Sequence, residues 1–185
     1  MSADVLRWIL PQTALDHSYA ELAADGARHR EGIVLWAGRS ACDGDKRPVA
    51  RITHVLLLRG PGVRRGFGYI SIAPELLNDV TDALAAGGDD LYVVGQIHGH
   101  PPGVPTDLSD VDIAYGIRTP QYLSVVAPDF GMSSPARIED CGVHVFEPHA
   151  GWRRLASSEV AARLDIQEAN MEDVTCLAVG DHGNG

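Results

Sequence analysis

Two histidines two positions apart, His98 and His100, close the apolar run LYVVGQIH at Leu91–His98 and its first step beyond. Side chains on a strand alternate between faces, so both imidazoles point the same way, on the face shared with Val94 and Gln96. Pro101 and Pro102 then force the chain out of the strand. Ser109 and Asp112 follow at a spacing of three, which puts them on one side of the first turn of a helix. If that helix comes back over the strand end, Asp112 supplies an oxygen beside the two imidazoles. Two histidines and one carboxylate leave a fourth position for water, the open pattern of a catalytic zinc site rather than the closed structural one. Water on such an ion drops from a pKa of about 15.7 towards roughly 7 and still needs a base to take its proton. Ser-x-x-Asp is also a common helix-capping arrangement. Both roles can hold at once, because a capped helix end positions Asp112. Asp107 and Asp110 are the other carboxylates in the run. Neither lies three after a serine, and Asp110 points away from Asp112 on the helix.

The elements that must position these groups are legible from periodicity. Thr13–Arg28 reads as a helix, with Leu15, Ser18, Tyr19, Leu22 and Ala23 on one face. Glu31–Ala37 (EGIVLWA) and Arg51–Leu58 (RITHVLLL) read as strands, with a polar turn over Ser40–Pro48 between them. Arg59–Gly68 is a glycine-rich basic loop, and Tyr69–Ile72 a short strand. Pro74 opens a second helix, where its missing N–H costs nothing, with Leu76, Leu77, Val80 and Leu84 on its face and Gly87-Gly88 at its end. After the histidine strand come a helix at Ser109–Ile117, strands at Tyr122–Ala127 and Gly142–Glu147, and a last helix at Ser157–Leu164. The apolar N-terminal stretch Met1–Pro11 reads as a first strand or arm. Spacing weakens from about Ile166, so residues 1–165 are expected to form one domain and 166–185 a partly flexible tail. The irregular alternation of strands and helices points to an α/β or α+β sandwich, not a bundle or barrel.

Composition narrows the function classes. The 185 residues carry 15 basic and 25 acidic side chains, a formal charge of −10, which opposes binding through nucleic-acid phosphates. No run approaches the roughly 18 apolar residues of a membrane helix, and the N-terminus lacks the features of a signal peptide. Three scattered cysteines, Cys42, Cys141 and Cys176, form neither a disulfide framework nor a thiolate metal site. They are expected to be reduced thiols of a cytoplasmic protein.

Taken together, the stretch HGHPPGVPTDLSDVD at His98–Asp112 resembles the JAMM motif of the MPN+ (JAB-domain) zinc metallopeptidases, H-[ST]-H-x7-S-x-x-D, with an upstream glutamate on the first main strand. His98, His100 and Asp112 match the zinc ligands, Ser109 the motif serine, and Glu31 of EGIVLWAG the glutamate. The order of elements matches over roughly Leu15–Pro148. Gly99 stands where many members carry serine or threonine, and eight residues rather than seven separate His100 from Ser109. The extra one falls in a proline–glycine turn that absorbs an insertion. The resemblance implies an MPN/JAB-domain fold with a mixed central sheet flanked by helices, and one Zn2+ per chain. Glu31 is then the general base, and Ser109 a donor to the developing oxyanion. The implied activity is that of the bacterial stand-alone, deubiquitinase-like members: cleavage after the C-terminal tail of a ubiquitin-like protein, in deconjugation or precursor processing, or of a sulfur-carrier adduct, with E1-like or E2-like proteins as further partners. The Arg59–Gly68 loop occupies the place of the family's substrate clamp. Its glycines suit β-augmentation, and Arg64 and Arg65 suit an acidic partner.

Other H-x-H chemistries fit less well. An amidohydrolase barrel needs about 250 residues. Metallo-β-lactamase-like hydrolases need H-x-H-x-D-H, and zinc deaminases need P-C-x-x-C; neither is present. A two-histidine, one-carboxylate iron site usually sits in a jelly roll, which the helical segments oppose. A non-catalytic MPN scaffold, the alternative of a different class, would have lost ligands that this chain keeps.

Overall fold

A computed structural model describes residues 6–87, 90–168 and 174–180. In chain order the elements are β1 (Arg7–Pro11), α1 (Gln12–Gly26), β2 (Ile33–Cys42), β3 (Pro48–Leu58), β4 (Val63–Gly66), β5 (Tyr69–Ile72), α2 (Pro74–Ala86), β6 (Tyr92–Gly99), α3 (Asp110–Tyr115), β7 (Leu123–Ala127), β8 (Gly142–Glu147), β9 (Gly151–Arg154), α4 (Ser157–Arg163), β10 (Leu164–Gln167) and β11 (Thr175–Val179). Nine strands form one mixed sheet in the order β10-β1-β3-β2-β6-β7-β8-β9, with β11 also paired to the long β3. The pair β4–β5 is a separate antiparallel hairpin. The architecture is thus the mixed α/β one expected from the sequence. Among the described residues no helix is long and apolar enough to cross a membrane.

Alternation along β2 shows how the sheet acquires two covered faces. Val34 and Trp36 join Leu15, Tyr19 and Leu22 of α1 in one apolar cluster. Ile33, Leu35 and Ala37 join Leu76, Val80 and Leu84 of α2 in another. A single polar relay inside the first cluster is satisfied: Trp36 Nε1 donates to Ser18 Oγ at 2.9 Å, and Ser18 Oγ donates to the Ala14 carbonyl at 2.7 Å. The sheet is therefore a rigid floor, and the polar groups at one end of β6 are carried by it.

Several sequence expectations change in detail. Glu31 lies two residues before β2 begins, in the turn out of α1. Its N–H donates to the Gly66 carbonyl at 2.9 Å, so the hairpin takes the bond that a neighbouring strand would have. The basic 59–68 segment is not all loop: residues 63–66 form β4. Arg65 is also not offered to a partner. It is folded inward, with Nε 2.8 Å from Asp25 Oδ2 and NH2 donating to the Leu58 carbonyl. Val94 does not share a face with Gln96 and His98. A bulge between the Trp36–Gly95 and Ala37–Val93 pairs turns it to the opposite cluster. The sheet also continues past residue 165, because the segment read as a tail contributes β10 beside β1 and β11 beside β3. Such parallel pairings depend on distant strands and leave little local signal. Residues 1–5 of the expected N-terminal arm and 181–185 of the expected tail lie outside the described residues.

Candidate metal centre

β6 runs between β2 and β7, antiparallel to the first and parallel to the second. His98 is its penultimate residue. His100 follows beyond the strand end, with its N–H still donating to the Ala127 carbonyl at 2.9 Å. Both imidazoles are consequently held by sheet hydrogen bonds and buried, at 1% and 3% exposure. The chain then turns over Pro101–Val104, where Val104 N–H donates to the Pro101 carbonyl and Gly103 takes a φ of 78°. That is the type II geometry a Pro-Gly pair favours. It brings α3 back across the strand end.

Asp112 sits at the third position of α3 and closes a capping box with Ser109. Ser109 N–H and Oγ both donate to Asp112 Oδ2, at 2.8 and 2.7 Å, and Asp112 N–H donates to Ser109 Oγ at 3.2 Å. The cap thereby aims the carboxylate. Asp112 Oδ1 lies 3.4 Å from His98 Nε2, Asp112 Oδ2 lies 3.3 Å from His100 Nε2, and the two Nε2 atoms are 3.3 Å apart. These three side chains, each offering one ligand atom, could hold a metal ion. Tetrahedral bonds of about 2.0–2.1 Å require ligand–ligand separations of about 3.3–3.4 Å, and the histidine pair and the contact of each imidazole with one Asp112 oxygen have that spacing. His100 Nδ1 lies 2.8 Å from the Pro105 carbonyl. A carbonyl can only accept, so Nδ1 carries a proton; in the neutral ring Nε2 then presents its lone pair, and in the protonated ring it donates to Asp112. His98 Nδ1 is buried with no hydrogen-bond partner among the described residues.

The charges around these side chains are mutually adjusted. Burial alone would raise Asp112, but hydrogen bonds from His100, His98 and Ser109 hold its carboxyl far below the usual range. Burial lowers His100, yet its bonds to Asp112 and Pro105 and the charges of Asp112 and Glu31 outweigh this and raise it. Glu31 is 4% exposed. Burial lifts it from 4.5 to about 7, with His100 opposing the rise and Asp112 adding to it. A carboxyl poised near neutrality beside three side chains that could hold a metal can accept and release a proton.

A groove leads to the triad. Ile70 and Ile72 of β5, Leu77 of α2 and Ile33 form one wall, Val111 and Tyr115 of α3 the other, and Gln96, His98 and Asp112 lie at its floor and end. Tyr115 is 81% exposed at its rim, and Phe67 at the hairpin tip packs edge-on against Phe130 at 5.8 Å.

The structure therefore brings His98, His100, Asp112 and Ser109 together and places Glu31 where it feels two of them. It does not bring Asp107 or Asp110 into the ligand set; Asp107 pairs with Arg154 at 2.6 Å. Reading the sequence missed the Pro105 carbonyl and the turn Asp129–Gly131. In that turn three successive residues have φ of 51°, 56° and 69°, and Phe130 N–H donates to the His100 carbonyl at 2.6 Å. A carbonyl has no sequence signal, and only Gly131 hinted at the turn.

The fold is similar to that of protein DSY2949 from Desulfitobacterium hafniense, known from a solution structure, with a TM-score of 0.55 and 18% identity over 89% of this chain and 96% of that one. It also aligns with AF2198, a JAB1/MPN domain protein from Archaeoglobus fulgidus, at a TM-score of 0.42 and 12% identity over 86% of this chain and 98% of that one. Among curated proteins, the phthioceranic/hydroxyphthioceranic acid synthases of Mycobacterium bovis and Mycobacterium tuberculosis match at 28% identity over 123 residues, 60% of this chain. The chain spans only 6% of the length of those synthases. No protein-family model matches the chain.

Proposed function

We propose that this chain is a zinc-dependent peptidase of the JAMM type, cutting a peptide or isopeptide bond after the C-terminal tail of a ubiquitin-like or sulfur-carrier protein. The observation that carries the reading is the meeting of His98 Nε2 and His100 Nε2, 3.3 Å apart, with one Asp112 oxygen each at 3.3–3.4 Å, and a buried carboxyl, Glu31, that interacts with His100 and Asp112. A zinc ion held there supplies Lewis acidity, polarising the scissile carbonyl and acidifying the attacking water. Glu31, lifted to about 7 by burial, accepts that water's proton and returns it to the departing amine. Ser109 keeps Asp112 in place through its cap, its hydroxyl donating to Asp112 Oδ2; to serve the developing oxyanion, that hydroxyl turns from Asp112 to the carbonyl oxygen when substrate binds. Substrate enters along the groove. Strand β5 pairs with β4 on one side and lines the groove with Ile70, Ser71 and Ile72, so an extended tail can add to it as a further strand.

The test is a substrate trap. Zinc-loaded Glu31→Gln protein, with His98→Ala as control, is immobilised in lysate from the source organism. Capture of a small β-grasp protein by the first alone supports the reading, and its identity separates deconjugation from carrier processing. Equal capture by both, with no zinc in the wild-type protein, overturns it in favour of a binding scaffold.

A further inference from the structure

We propose that Arg154, Asp107 and Gly142 are positioning residues for His100, pinning the 101–109 loop so that the Pro105 carbonyl fixes the imidazole tautomer that faces the metal. The inference rests on the metal-centre reading above and extends it to residues outside the motif.

The loop between the second histidine and α3 is anchored by the last two strands of the sheet order, β8 and β9. Arg154, the last residue of β9, donates to Asp107 Oδ1 at 2.6 Å and to Thr106 Oγ1 at 3.1 Å. Gly142, the first residue of β8, lies flat beneath the same loop. A Cβ there would come within 1.8 Å of the Thr106 carbonyl oxygen, so the backbones meet only because residue 142 has no side chain. Pro105, one residue before this double anchor, sends its carbonyl to His100 Nδ1 at 2.8 Å. Strands β8 and β9 thus set the height of the loop, and the loop sets the ring. Without the Pro105 bond, His100 is free to place its proton on Nε2, which points a hydrogen at the metal position and blocks ligation. Partners that orient a metal-bound histidine typically govern 10–100-fold in affinity. The Arg154–Asp107 pair is 45% and 63% exposed, so it contributes little to folding. A loss at the metal on its removal is then a local effect.

The experiment uses the full-length protein in two measurements. Ring-nitrogen NMR of the metal-free protein, at a pH well above the imidazole range, reads the His100 tautomer, and competition with a chromophoric chelator reads the zinc dissociation constant. In the wild-type protein His100 holds its proton on Nδ1. In Arg154→Ala and in Asp107→Ala the ring shows both tautomers, and zinc binds about tenfold more weakly. The double variant is no worse than either single one, Arg154→Lys recovers part of the loss, and the unfolding midpoint stays put. Gly142→Ala loses more, and if it fails to fold the two exposed variants carry the test. Wild-type tautomer together with zinc affinity within about twofold of wild type in both alanine variants overturns the proposal. Should the wild-type protein bind no zinc, the peptidase reading falls, while the tautomer comparison still decides whether the loop orients His100.

Discussion

The carboxylate of Asp112 caps its own helix and faces two imidazoles with the same pair of oxygens. Substitution can separate the two duties. Asp112→Asn keeps an oxygen for the Ser109 donors and retains the cap, yet loses the charge that competes for a cation. Asp112→Ala loses both, with about 1 kcal/mol of helix-end stability on top. Calorimetry and zinc titration should show folded, metal-weak protein in the first case and destabilised, metal-free protein in the second. Full zinc retention in Asp112→Ala would remove it from the ligand set. Glu31 carries a pH signature. Its native pKa of about 7 exceeds its ordinary 4.5, so between those values the folded state binds more protons than the unfolded one. Stability of the metal-free protein therefore falls as pH rises from about 4.5 through about 7. Glu31→Gln should flatten that slope while keeping zinc and losing turnover. A dication nearby favours the carboxylate, so in zinc-loaded protein the acid limb of kcat/KM should lie below 7. Denaturation curves over a pH series and a pH–rate profile check the two statements.

At the scale of elements, the hairpin and the turn after β7 decide the shape of the site. Gly99 sits between the two histidines, and a Cβ there would lie 2.8 Å from the Phe130 carbonyl carbon and 2.9 Å from its Cα. The left-handed turn at Asp129–Gly131 thus accounts physically for a glycine between the two histidines. Gly99→Ser should cost about 1–3 kcal/mol by overpacking and weaken zinc binding, because the turn must retreat from the His100 carbonyl. A serine tolerated without either change would show that the turn moves freely. The hairpin has a different dependence. Arg65 tethers it to Asp25, a pair 10% and 6% exposed. Breaking a buried pair typically costs about 3 kcal/mol, even though Arg30 still reaches Asp25 at 2.6 Å. Arg65→Ala should lower the unfolding midpoint and raise KM more than it lowers kcat, since β4–β5 walls the groove but does not hold the metal. An unchanged KM would detach the hairpin from substrate binding.

At the scale of the whole molecule, the site joins parts of the chain distant in sequence: the turn after α1, the run from the end of β6 through its loop to the first turn of α3, and the strands β8 and β9 that anchor the loop. Metal that binds only where these meet binds only the folded state. Zinc at about a hundred times its dissociation constant should therefore stabilise the protein by about 2.7 kcal/mol. For a chain of this size, at about 2–4 °C per kcal/mol, that shifts the unfolding midpoint by about 5–11 °C. Chelator should reverse the shift, and His98→Ala should show none. Scanning calorimetry with and without zinc gives the answer.

The chain's own order of residues determined which side chains could meet. His98 and His100 fall on one strand face by a period of two, and Ser109 and Asp112 on one helix side by a spacing of three, so the grouping that the fold makes was legible before any coordinate. The unbroken apolar runs in EGIVLWA and RITHVLLL likewise determined which strands carry the core, because burial on two faces leaves a continuous local apolar pattern. Tertiary structure alone decided the rest. A bulge turned Val94 away, since register shifts depend on the neighbouring strand. Distant parallel partners drew residues 164–167 and 175–179 into the sheet. Arg65 went inward because Asp25 was there to receive it. The Pro105 carbonyl, the Thr106 backbone over Gly142 and the turn at Phe130 became part of the surroundings of His98, His100 and Asp112 through backbone groups. Every residue carries such groups alike, and only the packed fold distinguishes one from another.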